Sequence, residues 1–301
     1  MKNTLIIGGN GYIGSLLYEK LSKNFLLSVD SVDLCLFGKD LGFSIKENYN
    51  YFDISKYKNI VLLAGHSSVP MCEYDKKKSW VNNVDYFYNI CENLSKEQTL
   101  IYASSASVYG KNSSVSYEKD VNLSPINHYD LTKISIDIIA NKFINEGKTI
   151  IGLRFGTVNG KSLNTRSDLM INSMILSYKK TGYIKVKNTQ VRRAILGIHD
   201  LTDGIISILK SQIKTSGQYN MGSFNSTVDE IYRNVVSMTG CRVEMMEDDL
   251  KQYDFEICSK KFEDTFNFQF KQNCESIIND LLNADYTSSS SRDDNYNINL
   301  F

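Results

Sequence analysis

Short, continuous apolar runs alternate with longer amphipathic segments through the first half of the chain, and no other feature restricts its fold as much. TLIIG (4–8), VDSVDLC (29–35), NIVLLAG (59–65), TLIYASS (99–105) and TIIGLRFG (149–156) read as strands. Between them, residues 14–23 place Leu16, Leu17 and Leu21 on one helical face. Residues 80–94 form a second helix, and 129–145 a third, carrying Ile134, Ile138, Ile139 and Phe143. A strand buried on both faces has no polar side, so it is apolar throughout. Such strands separated by helices imply a parallel sheet covered on both faces, which binds ligands beyond the carboxyl ends of its strands.

Composition excludes several partners. Lys plus Arg and Asp plus Glu each number 34, so the net charge is zero and nothing favours nucleic acid or an anionic membrane. No apolar run nears the roughly 20 residues of a membrane span. The opening MKNTLIIGG has no signal-peptide layout. The cysteines at 35, 72, 91, 241, 258 and 274 form no CxxC and no cluster with histidine. The expectation is a cytoplasmic protein with reduced thiols and no metal.

GGNGYIG (8–14) follows a strand and opens a helix. Gly8, Gly11 and Gly14 let the backbone turn tightly and approach a pyrophosphate, which the helix N-terminus attracts. Tyr12 and Ile13 lie within this turn, and Ala64 and Gly65 end the NIVLLAG run, so all are expected at the cofactor. An acidic residue about 20 positions on should hold the adenosine ribose. Asp30 and Asp33 both qualify, with Asp33 preferred as the end of SVD. No arginine lies nearby to neutralise a 2′-phosphate, which favours NAD over NADP. Asp53 is a candidate for the adenine edge, or else a turn aspartate.

Three Tyr–Lys pairs stand four residues apart: Tyr74/Lys78, Tyr129/Lys133 and Tyr183/Lys187. On a helix such a pair shares a face, and the ammonium would favour a phenolate that ordinarily forms only near about pH 10. Tyr74 sits in the charge-rich CEYDKKKSW and reads as solvated. Tyr183 sits in an alternating strand. Tyr129 alone opens a long helix, after a strand that ends in Ser104 and Ser105.

GGNGYIG, NNVDYFYNI (82–90), YASSASVYG (102–110), HYDLTK (128–133), LRFGTVNG (153–160), RRAILGIHD (192–200) and GQYNMGS (217–223) stand in one characteristic order and spacing. In this the chain resembles the extended short-chain dehydrogenase/reductase family, in particular its nucleotide-sugar epimerase/dehydratase group, to about residue 285. The resemblance implies a Rossmann-type, doubly wound α/β fold with a smaller C-terminal substrate lobe. It implies NAD as cofactor, a nucleotide sugar as substrate, and a homodimer paired through the helices at 80–94 and 129–145. Tyr129 is then the general acid/base. Lys133 lowers its pKa and holds the nicotinamide ribose, Ser105 bonds the sugar oxygen, and Ser104 assists. Asn83 supports the active-site helix beside the cofactor. Asn172 and Arg193, or Arg192 in place of the latter, meet the substrate diphosphate.

Two departures refine the expected reaction. The family's 4,6-dehydratases carry an Asp–Glu pair directly after the Ser/Thr position, where this chain has Ala106 and Ser107. That argues against water elimination and for C4 epimerisation. Second, the histidine many members carry just before the small residues of the fourth strand is replaced by Leu62; His66 follows later and either lines the cofactor or sits in a plain loop. The rival readings are one net hydride transfer to or from a keto sugar, and a binding protein that keeps NAD only as a ligand. The expected organisation is an NAD-binding domain over 1–158 with a return segment at about 194–220, a substrate lobe from 159–193 and 221–286, and a loose tail over 287–301.

Overall fold

The chain begins β1 (Lys2–Ile7), α1 (Tyr12–Ser22), β2 (Val29–Val32), β3 (Tyr57–Leu62), α2 (Val69–Tyr74), α3 (Lys76–Trp80), α4 (Tyr86–Asn93), β4 (Thr99–Ser105), β5 (Lys111–Ser116), α5 (His128–Asn145) and β6 (Thr149–Phe155). It continues β7 (Thr157–Asn159), α6 (Met170–Thr181), β8 (Tyr183–Val186), β9 (Arg192–Gly197), α7 (Ile198–Lys210), β10 (Gly217–Met221), β11 (Phe224–Thr227), α8 (Val228–Thr239), β12 (Arg242–Met245), β13 (Asp254–Ile257), α9 (Lys260–Phe266) and α10 (Cys274–Leu282). This computed structural model describes residues 2–284 except 24–27, 49, 51, 121–122, 212 and 249–252. The expected tail from 287 lies outside the described residues.

The five apolar runs enter one six-stranded sheet of order β10-β6-β4-β3-β1-β2, parallel throughout. Successive side chains of a strand face opposite sides, and both sides are covered. Ile6, Val61, Ile101 and Ile151 pack beneath α1, α7 and α9. Their neighbours Leu5, Ile7, Ile60, Leu62, Leu100 and Ile150 pack against α4 and α5. The chain leaves β1 for β2, then returns to β3 on the other side of β1. That reversal opens a crevice at the carboxyl ends of β1 and β3.

Three expectations are corrected. The strand inside 194–209 does not rejoin the main sheet; β9 pairs with β7 and β11 in a separate three-stranded sheet, and β10 makes the return. The run 29–35 ends as a strand at Val32, so Asp33 stands in the loop. The helix expected over 80–94 begins earlier and contains a π turn at Val81–Asp85. The wider turn brings the consecutive side chains Asn82 and Asn83 inward together, an arrangement that often marks functional positions. The later chain forms its own core, in which α6, α8 and α10 enclose Ile171, Ile175, Ile231 and Ile278. Among the described residues, no helix is long and apolar enough to cross a membrane.

Candidate active site

Gly8 leaves β1 at φ +94, a backbone region that favours glycine. A Cβ there would stand 2.6 Å from the Ala64 nitrogen, and one on Gly14 would stand 2.1 Å from the Gly8 carbonyl oxygen. The turn is therefore pressed against the end of β3 and against its own helix. Gly11 caps α1 without any side-chain hydrogen bond, so the first amides of the helix are left for an anion. Gly8, Gly11, Tyr12, Ile13, Gly14, Asp33, Ala64, Gly65, His66 and Asn82 line one cleft at this point. A cradle closed to any side chain and ended by an uncapped helix fits a dinucleotide pyrophosphate.

The two candidate aspartates part company here. Asp33 accepts from the Asn10 and Cys35 amides at 2.9 and 2.8 Å and faces the cleft. Asp30 accepts from the Tyr57 hydroxyl at 2.8 Å, away from it. Asp53 does not line the cleft. It is exposed and accepts from the Ser55 amide at 2.9 Å, a local turn at the opposite end of β3. His66 lines the cleft, with its Nδ1 3.1 Å from Asn82 Nδ2.

The mouth of the cleft carries a strap that sequence reasoning missed. Leu34, Leu36 and Phe37 line the cleft, and the residues after them are pinned by two buried asparagines. Asn10 donates to Lys39 O and accepts from the Leu41 amide. Asn164 accepts from the Lys39 amide at 3.0 Å and donates to Asn10 O and Lys39 O at 2.7 and 2.9 Å. Asn10 lay inside the glycine motif, whereas nothing in the polar stretch after residue 160 singled out Asn164.

A second cavity of about 650 Å³ opens beside the first and shares Tyr12, Ile13, Ala64, Gly65 and Arg166 with it. Ser104, Ser105, Tyr129, Lys133 and Arg193 all line it. Ser104 Oγ is buried with no hydrogen-bond partner, an orphan that a ligand oxygen would satisfy. Ser105 Oγ lies 2.8 Å from Ser107 Oγ. Asn127 caps α5 by accepting from the Asp130 amide, which fixes where Tyr129 emerges.

Tyr129 and Lys133 share one face of α5, with the ammonium within cation–π reach of the Tyr129 ring. Lys133 Nζ donates to Ala103 O at 2.8 Å and lies 5.6 Å from the Tyr129 ring centre. Burial pushes the Tyr129 phenol up to about 12, against the pull of the Ser105 hydrogen bond and of Arg166. Burial also lowers the Lys133 ammonium from its ordinary 10.5 to about 8. Between those two values the unfolded chain binds more protons, so this group makes stability rise with pH there. Wild type should therefore gain stability relative to Lys133→Met as pH climbs through that window, which denaturant titrations at its two ends would measure.

The remaining candidates divide. Arg193 is buried at the cavity wall, and desolvation lowers its pKa to about 10. Arg192 turns away to Asp254 at 2.9 Å and to the carbonyls of Asn112 and Ser113. Asn172 does not reach the cavity. Fully buried, it accepts from the Gly160 amide at 2.9 Å and donates to Arg166 O at 2.8 Å, stapling the loop before α6. Asn83 lines neither cavity; it bonds the His66 amide and carbonyl and Thr132 Oγ1, tying the loop after β3 to α5. Arg166, paired with Asp168 and facing both cavities, came from the same featureless stretch as Asn164.

Comparison with known proteins gives the family and the fold. Residues 4–222 match the model of the NAD dependent epimerase/dehydratase family. The chain is 30% identical over 250 residues to an ADP-L-glycero-D-manno-heptose-6-epimerase of Fusobacterium nucleatum, covering 73% of this chain and 74% of that protein. It is 32% identical over 178 residues to the protein of the same name from Brachyspira hyodysenteriae, covering 53% of this chain and spanning only 56% of that relative's length. In fold it resembles the UDP-glucuronic acid 4-epimerase of Bacillus cereus, solved with UDP-glucuronic acid and NAD, at TM-score 0.81 and 20% identity, covering 93% and 98% of the two chains.

Proposed function

The chain belongs to the NAD dependent epimerase/dehydratase family, and we propose that within it this protein inverts one carbinol centre, C4, of a nucleotide sugar. The observation that carries this reading is the convergence of Tyr129, Ser105 and the unpartnered Ser104 hydroxyl in a cavity adjoining the glycine cradle. The buried Ala106 and Ser107 stand where a dehydratase would need its acid and base. The cleft lined by the glycine turn and Asp33 would hold NAD, whose nicotinamide would supply a reversible hydride acceptor.

The chain's own residues have the following parts. Tyr129 removes the proton of the sugar hydroxyl and returns it after the keto sugar has turned over. Ser105 and Ser104 donate to the sugar oxygen as it becomes a carbonyl. Lys133 holds the nicotinamide ribose, exchanging its bond to Ala103 O for a ribose hydroxyl. Asp33 takes the adenosine ribose, and the α1 amides take the pyrophosphate. Arg193, a desolvated guanidinium, meets the substrate diphosphate. The lobe built on α6, α8 and α10 selects the sugar.

Since the hydride returns, the cofactor need not leave. Many product molecules should form per NAD, with no NADH accumulating; stoichiometric NADH would replace this reading with net oxidation or reduction. The heptose-6-epimerase relatives favour one second reading, inversion at C6. A pair of chains meeting through α4 and α5 is supported by Leu131 and Ile138, exposed seven residues apart on α5; light scattering would test it. The strap predicts slow cofactor exchange. Asn164→Ala removes three hydrogen bonds, each of about 0.5–1.5 kcal/mol net, and should speed NAD release by roughly tenfold or more in stopped-flow displacement.

A further inference from the structure

A charged pair is buried between α5 and the sheet. Arg154 on β6 and Asp137 on α5 are both buried, with Arg154 Nε 2.8 Å from Asp137 Oδ2. Neither lines the cofactor cleft or the larger cavity. Stability alone gives little reason for such a pair. Desolvating two charges costs about as much as their attraction returns, and apolar residues of similar volume often replace them without loss.

What the pair does hold is geometry. Arg154 is the register partner of Ser104 on β4 and of Asn220 on β10, so its side chain leaves the sheet on the same face as Ser104. Its Nη1 donates to the Tyr109 hydroxyl at 2.9 Å, and that hydroxyl donates on to Asn220 Oδ1 at 2.8 Å. Tyr109 closes the 3₁₀ turn Ala106–Tyr109, which follows Ser104 and Ser105 directly. At the other end, Asp137 stands one turn beyond Lys133 and two beyond Tyr129 on α5. Its Oδ1 accepts from the hydroxyl of Tyr102, two residues before Ser104 on β4, at 2.8 Å. The strand that ends in the serines, and the turn after them, are thus bonded through Arg154 and Asp137 to the helix that carries Tyr129 and Lys133.

Gly152 shows the sheet yielding to this arrangement. A Cβ there would stand 2.4 Å from the Tyr102 hydroxyl oxygen, so any side chain would keep the phenol from lying over β6 to reach Asp137. Glycine inside a strand weakens it and marks a close approach of another group.

We propose that Arg154 and Asp137 are positioning residues for the reaction: together they set the spacing between the Ser104–Ser105 segment and the start of the Tyr129 helix. The proposal rests on the reading of those three residues as the catalytic site. A sugar hydroxyl must lie within hydrogen-bond reach of the serines and of Tyr129 at once, roughly 2.6–3.2 Å from each. A shift of about 1 Å can cost about 10²-fold in rate. Apolar contact is not directional, whereas hydrogen bonds of defined length and angle are. The ion pair and its two phenols therefore fix what packing would leave loose.

The test replaces the pair with uncharged residues of similar size, Arg154→Met together with Asp137→Leu. Either substitution alone would strand a buried charge and destabilise the fold; the double substitution leaves none. The double variant should keep the wild-type denaturation midpoint. On the nucleotide sugar found by a product assay, its kcat should fall on the order of tenfold or more, with KM and NAD affinity within about twofold. Tyr109→Phe keeps the ion pair and cuts only its bond to the serine turn. It should lower kcat in the same sense, and added to the double variant it should cost nothing further. Wild-type kcat in the double variant or in Tyr109→Phe overturns the proposal, as does a loss of kcat only in proportion to a loss of folded protein. A second readout needs no substrate. In crystals of the NAD-bound double variant, or of NAD-bound Tyr109→Phe, the distance from Ser104 Oγ to the Tyr129 hydroxyl oxygen should differ from that in wild-type crystals by more than about 0.5 Å, the tolerance of a productive site. An unchanged distance overturns the proposal whatever the reaction, whereas full activity in Tyr129→Phe overturns the reading of the site instead.

Discussion

Tyr129→Phe is expected to lower kcat by on the order of 10³-fold while NAD affinity stays within about twofold. The substitution deletes one hydroxyl. The ring keeps its place at the start of α5, because Asn127 caps the helix and Thr132 Oγ1 bonds the Tyr129 carbonyl at 2.7 Å. Lys133 does not depend on the hydroxyl either, since its ammonium is anchored on Ala103 O. Turnover and calorimetric titration with NAD would separate chemistry from binding. Unchanged turnover would remove Tyr129 from the mechanism, and lost NAD binding would make its role structural.

Gly14→Ala should produce the largest loss of cofactor affinity of any single methyl group. The added Cβ would meet the Gly8 carbonyl oxygen at 2.1 Å and the Gly9 Cα at 2.8 Å. Both are backbone atoms, so no flexible side chain can yield. Either α1 retreats or the turn opens, and each moves the helix amides away from the pyrophosphate. Overpacking of this kind costs about 1–3 kcal/mol. If that strain falls on the cradle, NAD binds about 10–100-fold more weakly. Equilibrium NAD titration alongside a denaturation curve would distinguish a distorted cradle from a general loss of stability. Affinity equal to wild type would contradict the tight turn described here.

The sheet was legible because its signal is local. A strand buried on both faces must be apolar at successive positions, and five such runs became five parallel strands. The glycine turn and the Tyr129 helix were legible for the same reason, since each depends on a few consecutive residues. The errors came where a side chain's direction depends on distant backbone. Asn172 and Asp53 stand at motif positions, yet Asn172 is consumed by Gly160 and Arg166 O, and Asp53 by its own turn. The π turn could not be read from periodicity, so only Asn83 was expected and Asn82 was missed. Arg166 and Asn164 belong to an irregular stretch with no period at all.

The central claim is tested most directly by following products in D₂O. The protein would be incubated with NAD and a panel of UDP-, GDP-, CDP-, ADP- and dTDP-sugars, and the products read by proton NMR. The account predicts a C4 epimer carrying no solvent deuterium at C4, because the hydride that leaves is the hydride that returns. A keto sugar with accumulating NADH, inversion at another carbon, or no conversion of any sugar would contradict it.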